Sequence, residues 1–357
     1  MFKKVLILAM CLTAGAFSVS CSPASPKLVA QPEVVFDKID IKGDSGEYKP
    51  EVDILFVVDR SASMDSIQKN LSNNIDLFLN GLVSTKVNYH IGVIASDGET
   101  YNGLKEPGCS FFCTTLPNTF GILQGDVKFV TPTTANGLNI LKKNILVGVQ
   151  GDGDEQFFEP ISQALSPELS GPGKANYGFI RDSAYFAVVF ITDTDDHSKA
   201  ANYDSTYKFL VNFKKSRNKV LSYGILIPSA LGSALPAGCV RDSSDNLLPG
   251  SLEAFLHQTI NNKSNEMNLC DPQFGTQLTK FSKDLVRYLV GTIPLNKVPV
   301  ISSIQVFFGG KELPSDLSTG WYYDPRINAV IMGNNIVLDD EGDGSGLRIK
   351  FDAVSVN

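Results

Sequence analysis

The sequence predicts an α/β protein in which a doubly wound, mostly parallel sheet occupies residues 50–292 and a small C-terminal β module occupies residues 293–357. In the first part, apolar runs of strand length alternate with segments of helical periodicity, as a doubly wound sheet requires. After residue 292 the pattern changes to short period-two segments separated by turns, which predicts antiparallel strands. The length of 357 residues is enough for one large core and a small module.

The elements of the main domain follow from their apolar patterns. Residues 53–59 read DILFVVD, a continuous apolar run of strand length, and residues 184–192 repeat that pattern. A helix is predicted near residues 64–82, because apolar residues recur there every three or four positions. Further strands are predicted over residues 87–95, 126–130, 220–228 and, from a weaker pattern, 265–270. Further helices are predicted over residues 135–144, 155–165, 203–215, 251–261 and 272–290, and an irregular segment over residues 96–123.

The C-terminal module is predicted from short strands at residues 302–308, 321–323, 329–332 and 347–351. Gly309 and Gly310 offer the positive φ angles of a tight hairpin. Trp321, the single tryptophan, is expected in a core rather than in a binding site.

Two predicted strands of the main domain end in oxygen-bearing side chains. The first ends in Asp59-x-Ser61-x-Ser63, and the second ends at Asp193. Ligands bind beyond the carboxyl ends of strands in open parallel sheets, so we expect these side chains to converge. Carboxylate and hydroxyl oxygens are hard ligands that suit Mg²⁺, Mn²⁺ or Ca²⁺. The alternative is that Ser61, Ser63 or Asp65 caps the helix that follows.

These side chains resemble the metal-ion-dependent adhesion site (MIDAS) of a von Willebrand factor A-type domain. Asp59, Ser61 and Ser63 match the family's Asp-x-Ser-x-Ser, and Arg60 fills one of its variable positions. Asp193 matches the family's distal aspartate. Three segments also resemble a bacterial secreted and lipoprotein branch of the family: DILFVVDRSASM, GFIRDSAYFAVVFITDTDDHS and NLCDPQFGTQL.

The resemblance implies a von Willebrand factor A-like fold, a bound divalent cation, and a protein partner whose acidic side chain completes the shell of that cation. The family's threonine ligand, in a loop before a mid-domain helix, has no obvious counterpart here. At that place the chain reads GVQGDGDEQ, so Asp152 or Asp154 is a candidate replacement. Asp195 and Asp196 are expected to lie at a helix start or to support the ligands from behind, rather than to bind the cation directly, because many directly bound carboxylates would neutralise the cation.

The N-terminus has the pattern of a lipoprotein signal peptide over residues 1–20, followed by a tether over residues 21–49. Lys3 and Lys4 precede a short apolar stretch, and small residues precede Cys21, the predicted lipidation site. An ordinary secretory leader is the alternative. Ser22 resembles the signal for sorting to the outer membrane of a Gram-negative bacterium, where acyl chains would anchor the protein.

Four cysteines remain in the mature body, namely Cys109, Cys113, Cys239 and Cys270. Three pairings are formally possible, and the spacing favours Cys109–Cys113 and Cys239–Cys270 as disulfides in an oxidising compartment. Zinc binding is a poorer interpretation, because no pair has Cys-x-x-Cys spacing.

The charge balance argues against nucleic acid as a partner. The net charge is −7, and removing residues 1–20 takes away Lys3 and Lys4 but no acid, leaving 29 basic against 38 acidic residues, or −9. No basic cluster exists in the sequence.

The function predicted from these features is that of a cell-envelope lipoprotein that binds a protein partner, in adhesion or envelope assembly, rather than that of an enzyme. Phe111 and Phe112, in a long loop expected on the metal-bearing face, are predicted to contact the partner or else to pack the loop onto its own domain. The alternatives are a metal-dependent hydrolase using His197, or a scaffold with an empty or structural site. The chain has no His-Glu-x-x-His, no Gly-x-Ser-x-Gly and no phosphate loop.

Overall fold

The computed structural model describes residues 48–98, 119–151, 154–231, 235, 248–263, 265–338 and 345–354. Several residues with predicted roles lie outside these ranges: Cys21, Cys109, Phe111, Phe112, Cys113, Asp152 and Cys239. Their roles stay predictions.

A six-stranded sheet forms the centre of the fold. Its strands are Glu51–Val58 (β1), Asn88–Ala95 (β2), Phe129–Val130 (β3), Tyr185–Ile191 (β4), Val220–Leu226 (β5) and Glu266–Asn268 (β6). They lie in the order β3-β2-β1-β4-β5-β6, and all neighbours are parallel except β3, which is antiparallel to β2. The predicted fold class, a doubly wound and mostly parallel α/β sheet, is confirmed.

Helices cover both faces of this sheet. They are Asp65–Ser84 (α1), Gly137–Ile145 (α2), Phe158–Ala164 (α3), Pro167–Ser170 (α4), Tyr203–Lys214 (α5), Gly250–Gln258 (α6) and Phe274–Val290 (α7). Short 3-10 helices lie at Ala62–Met64, Arg217–Lys219, Ser229–Leu231 and Ile301–Ser303. In the part of the chain that the structure describes, no helix has the length and apolar character needed to cross a membrane.

Strand β1 is buried on both sides, which explains its continuous apolar sequence. Val52, Ile54 and Phe56 pack into one apolar cluster with α1, α2 and α7. Leu55 and Val57 point the other way, into a second cluster with α3, α5 and α6. Because both layers hold β1, the turn that follows it starts from a rigid position in the middle of the sheet.

The C-terminal residues form two three-stranded antiparallel sheets. The first contains Thr292–Pro294 (β7), Trp321–Asp324 (β10) and Ala329–Met332 (β11), and the second contains Gln305–Phe308 (β8), Lys311–Glu312 (β9) and Arg348–Lys350 (β12). Gly309 and Gly310 connect β8 to β9 with φ angles of 57° and 75°, as the hairpin prediction required. Strands β7 and β9, of 3 and 2 residues, were not predicted, because so few residues carry no recognisable period.

Trp321 is buried in the same apolar cluster as β1 and α7. Its indole Nε1 donates a hydrogen bond to the Leu313 carbonyl at 3.0 Å. Tyr48, at the end of the predicted tether, pairs with Leu347 through an isolated β-bridge. All the described residues belong to one compact unit, and the boundary proposed between residues 292 and 293 stays a prediction.

Candidate metal centre

Asp59 lies one residue beyond the end of β1 and is fully buried. Its Oδ1 accepts a hydrogen bond from the Ser61 backbone N–H at 2.6 Å. Its Oδ2 accepts a hydrogen bond from the Thr192 hydroxyl, also at 2.6 Å. Both oxygens are therefore oriented by the protein.

Ser61 and Ser63 place their hydroxyls side by side, with the Oγ atoms 2.9 Å apart. Neither hydroxyl caps the 3-10 helix Ala62–Met64, and helix α1 begins at Asp65 without a side-chain cap. The alternative in which these residues serve as helix caps is therefore wrong. Ser61 is buried and Ser63 is exposed, so one of the two serines is accessible from solvent.

Asp193 follows β4 and is 2% exposed. Strands β1 and β4 are parallel neighbours with Val58 opposite Ile191, so Asp59 and Asp193 lie at the same carboxyl edge of the sheet. The next residue, Thr194, is buried, and its hydroxyl has no hydrogen-bond partner among the described residues. The edge thus carries the side chains expected to converge, while their binding of a cation stays a prediction.

Asp195 and Asp196 accept hydrogen bonds at the starts of two helices. Asp195 Oδ1 and Oδ2 accept from the Ser251 N–H, at 3.1 and 3.0 Å, in the first turn of α6. Asp196 Oδ1 accepts from the N–H groups of Phe157 and Phe158, at 2.7 and 3.1 Å, at the start of α3. Burial raises the pKa of Asp196, against the opposing effect of these hydrogen bonds. Both acids therefore accept backbone N–H groups at helix starts, one of the two roles expected of them, and the expectation that neither binds the cation directly stays a prediction.

Gln68, on α1, ties the Asp59 turn to the loop that precedes α3. Its Nε2 donates to the carbonyls of Asp59 and Gly148, both at 2.8 Å, and its Oε1 accepts from the Gly148 N–H at 3.3 Å. The Gly151 N–H donates to the Arg60 carbonyl at 3.1 Å. A Cβ atom at Gly151 would lie only 2.7 Å from Arg60 Cβ. Glycine at this position therefore lets the loop pack directly on the turn.

Asp154, one of the candidate replacements for the family threonine, is half-exposed and ion-paired. Its Oδ2 lies 2.6 Å from Lys199 Nζ, and its Oδ1 lies 3.6 Å from His197 Nδ1. The hydrogen bond from Lys199 holds the pKa of Asp154 below its usual range. Asp152 lies outside the described residues. Replacement of the threonine by either residue stays a prediction.

Glu155, in the same segment, is a carboxylate that the sequence prediction passed over. It is 2% exposed, and its carbonyl accepts from the His197 N–H at 2.9 Å. The next residue, Gln156, donates its N–H to the Ser96 carbonyl at 2.9 Å. Glu155 thus lies between the segments that follow β2 and β4. The apolar pair that follows it in sequence, Phe157-Phe158, is the signal that the segment is buried.

The donor set fits a hard divalent cation. Two hydroxyls and the carboxylates of Asp59 and Asp193 offer only oxygen, which Mg²⁺ prefers. Across the described ranges, no three acidic, histidine or cysteine side chains form a group able to hold a metal ion. The hydroxyls of Ser61 and Ser63 would complement the two carboxylates as ligands of a cation at this edge. Because hydroxyls are neutral, much of the charge of the cation would remain for a further ligand.

Cys270 is disulfide-bonded. Its predicted partner Cys239 lies outside the described residues, as do Cys109 and Cys113. Both pairings stay predictions.

No protein-family model matches the chain, and no curated relative matches it. Solved structures are similar to it at low identity. Proximal thread matrix protein 1 from the mussel byssus, with a zinc-occupied MIDAS motif, is 15% identical at a TM-score of 0.36, over 71% of this chain and 51% of that one. A von Willebrand factor type A structure from Catenulispora acidiphila is 11% identical at a TM-score of 0.36, over 84% of this chain and 57% of that one.

The pilus adhesin SpaC from Lactobacillus rhamnosus GG, in its open conformation, is 12% identical at a TM-score of 0.39, over 85% of this chain and 38% of that one. The chain thus spans about half the length of the solved chains it matches. At these identities and TM-scores, the similarities carry no argument about metal, partner or function.

Proposed function

We propose that this chain is a binding protein of a bacterial cell envelope that captures a protein partner through a divalent cation. The observation that carries the proposal is the hydroxyl pair of Ser61 and Ser63, 2.9 Å apart and not used as helix caps. The pair follows the buried carboxylate of Asp59, at the edge where Asp193 also lies. Adhesion and envelope assembly are the functions that such capture would serve.

Four residues would hold the cation, which is Mg²⁺ or, as alternatives, Mn²⁺ or Ca²⁺: Asp59, Ser61, Ser63 and Asp193. Asp152 or Asp154 is the candidate for the remaining position. The bound cation would supply the Lewis acidity that attracts an acidic side chain of the partner. Thr192 and the Ser61 N–H orient the Asp59 carboxylate, and the exposed Ser63 keeps the site open to solvent.

A binding role is favoured over catalysis by the absence of catalytic motifs from the sequence. His197, the histidine closest in sequence to Asp193, has its Nδ1 3.6 Å from Asp154 Oδ1. A hydrolase and a scaffold with an empty or structural site remain the alternatives. Metal titration distinguishes a scaffold with an empty site from the proposed function, and screening for turnover distinguishes the hydrolase.

The proposed location is the outer membrane of a Gram-negative bacterium, with the acylated Cys21 as the anchor. The basic start, the short apolar stretch and the small residues before Cys21 support it. In cells that express Cys21→Ser, we expect loss of the acylated N-terminus by mass spectrometry and loss of membrane association on fractionation. Membrane association equal to that of the wild type would contradict the anchor.

Calorimetric titration of residues 22–357 with Mg²⁺ and Mn²⁺ tests the metal site. We expect one cation per chain, with binding at least about tenfold weaker in Ser61→Ala and Asp193→Ala because each loses a direct ligand. Ser302→Ala and Asp126→Ala are matched controls, since both side chains are exposed and lie outside the site. Equal affinity in all variants would exclude the site.

Partner capture is tested by pull-down from envelope extract with Mg²⁺ and with chelator. We expect the partner to be released by chelator and to be lost with Asp193→Ala.

The double variant Phe111→Ser/Phe112→Ser tests the predicted contact loop. Unchanged partner affinity in that variant, with a stable fold, would remove the loop from the recognition surface.

A further inference from the structure

Arg60 occupies a variable position of the motif, between Asp59 and Ser61, and yet it is buried at 4% exposure. Its Nη1 lies 2.5 Å from Asp97 Oδ2, and the side chain of Asp97 is 2% exposed. The same Nη1 donates to the Thr119 hydroxyl at 3.3 Å. Asp97 Oδ2 accepts a second hydrogen bond from Thr119, at 2.9 Å. A buried ion pair therefore starts from within the candidate metal motif.

The backbone of Arg60 joins the other segments of the same edge. Its N–H donates to Ser96 Oγ at 3.3 Å, just beyond β2. Its carbonyl accepts from the Gly151 N–H at 3.1 Å, in the loop before α3. Arg60 thus contacts the segments that follow β2 and precede α3, while its two neighbours in sequence are candidate ligands.

Stability of the fold is a weak explanation for this ion pair. Arg60 Nε and Asp97 Oδ1 are both buried without a hydrogen-bond partner among the described residues. Burying two charges costs desolvation energy, and a buried pair with unsatisfied atoms is often no better than apolar residues of similar size. The two charges are better explained by their effect on the neighbouring candidate cation site at Asp59 and Ser61. A lone guanidinium would repel a divalent cation bound at Asp59 and Ser61, and repulsion is strong where water is excluded.

We propose that the Arg60–Asp97 pair balances the charge beside the metal centre, an inference that rests on the proposed metal-binding function. The backbone of Arg60, which a side-chain substitution leaves in place, joins the segments at the carboxyl edge of the sheet. Asp97 cancels the charge of the guanidinium, so that a divalent cation is retained next to it. In this proposal the pair is not a ligand of the cation, and it sets the affinity of the site through its net charge.

The test compares Asp97→Asn, Arg60→Met and the double variant, each titrated with Mg²⁺ alone by calorimetry. Asp97→Asn keeps the shape of the side chain but leaves the guanidinium uncompensated, so we expect Mg²⁺ affinity to fall about tenfold. Arg60→Met leaves a carboxylate near the site, so its affinity should equal or exceed that of the wild type. The double variant restores neutrality, and its affinity should return to within about threefold of the wild type. Asp126→Asn removes an exposed carboxylate elsewhere and should change nothing.

Opposite effects of the two single variants distinguish charge balance from a purely structural role. If Arg60→Met and Asp97→Asn both weaken Mg²⁺ binding and the double variant is no better, the proposal is wrong while the metal site stands. If the wild type binds none of Mg²⁺, Mn²⁺ and Ca²⁺, the proposed function fails and charge balancing fails with it. If Asp97→Asn does not fold, Arg60→Gln can be titrated instead, because it also removes the positive charge and should not weaken Mg²⁺ binding. A fall of more than about threefold in the Mg²⁺ affinity of Arg60→Gln would overturn the proposal.

Discussion

Asp53, on β1, is a fully buried carboxylate that Arg181 holds from two sides. The Arg181 backbone N–H donates to Oδ2 at 2.7 Å, and its Nε donates to Oδ1 at 2.8 Å. Burial raises the pKa of Asp53, and the Arg181 charge and hydrogen bonds oppose that rise. The ion pair therefore fastens the segment before β4 to the start of β1.

Arg181→Met should lower the free energy of unfolding by about 3 kcal/mol at neutral pH, because it leaves the Asp53 charge buried without its partner. A carboxyl group whose folded pKa exceeds its unfolded pKa loses stability as pH rises through the window between the two values. Removing Arg181 raises the folded pKa of Asp53 further and widens that window. The stability difference from the wild type should therefore be smaller near about pH 4 than near about pH 7.

Urea unfolding at both pH values measures this difference. Arg217→Met, which removes an exposed arginine of the same region, is the control. A loss of the same size at both pH values would show that the effect is packing rather than charge.

The residues of the candidate metal centre that the sequence predicts are those that form a recognisable motif. Asp59, Ser61 and Ser63 are local in sequence, so the pattern reveals them without knowledge of the fold. Thr192 and Gln68 have roles that depend on tertiary contacts. Thr192 binds Asp59, which lies 133 residues away in the sequence, and Gln68 binds Gly148, which lies 80 residues away. No local pattern encodes such contacts.

At the scale of single elements, Asp196 fixes the start of α3 from outside that helix. The helix was predicted from residue 155 and begins at Phe158. The residues before it are held by tertiary hydrogen bonds to Asp196, Ser96 and His197, which periodicity does not reveal. The edge strands β3 and β6 are likewise shorter than predicted, because an edge strand has few paired neighbours to define its ends.

Asp196→Ala should lower the free energy of unfolding by about 1 kcal/mol, as loss of a helix cap does. Asp196→Asn keeps an acceptor for the N–H groups of Phe157 and Phe158, and its loss should be smaller. Denaturant unfolding of both variants measures the effect, with Asp126→Ala as the exposed control. Equal losses in the alanine and asparagine variants would show that Asp196 does not act as an acceptor.

At the scale of the whole molecule, the C-terminal sheets share a core with the main sheet. Trp321 lies in the apolar cluster that contains Val52 and Leu285. The single tryptophan is therefore a probe of the C-terminal strands, whereas far-ultraviolet circular dichroism follows the helices of the main domain. We expect both signals to change at the same temperature, since a shared core unfolds cooperatively. Two separate transitions would mean that residues 293–357 fold as an independent module.

Metal binding should also be visible in the stability of the whole chain. A cation that binds only the folded state stabilises it by about 2.7 kcal/mol at a concentration one hundred times its Kd. Thermal unfolding of the wild type should therefore shift upward in Mg²⁺ and return with chelator, whereas Ser61→Ala should not respond. An equal shift in Ser61→Ala would place the cation elsewhere.

The order of the sheet has a consequence for how the chain reaches its native state. Strand β1 lies between β2 and β4 in the sheet. The edge of β1 that pairs with β4 therefore stays unpaired until β4, which ends at Ile191, has docked. Contacts between parallel strands so distant in sequence require closure of long loops, which slows folding. During that delay the apolar β1 offers an unpaired edge to other chains. We therefore expect the refolding yield, measured by light scattering and recovered native protein, to fall as the protein concentration rises.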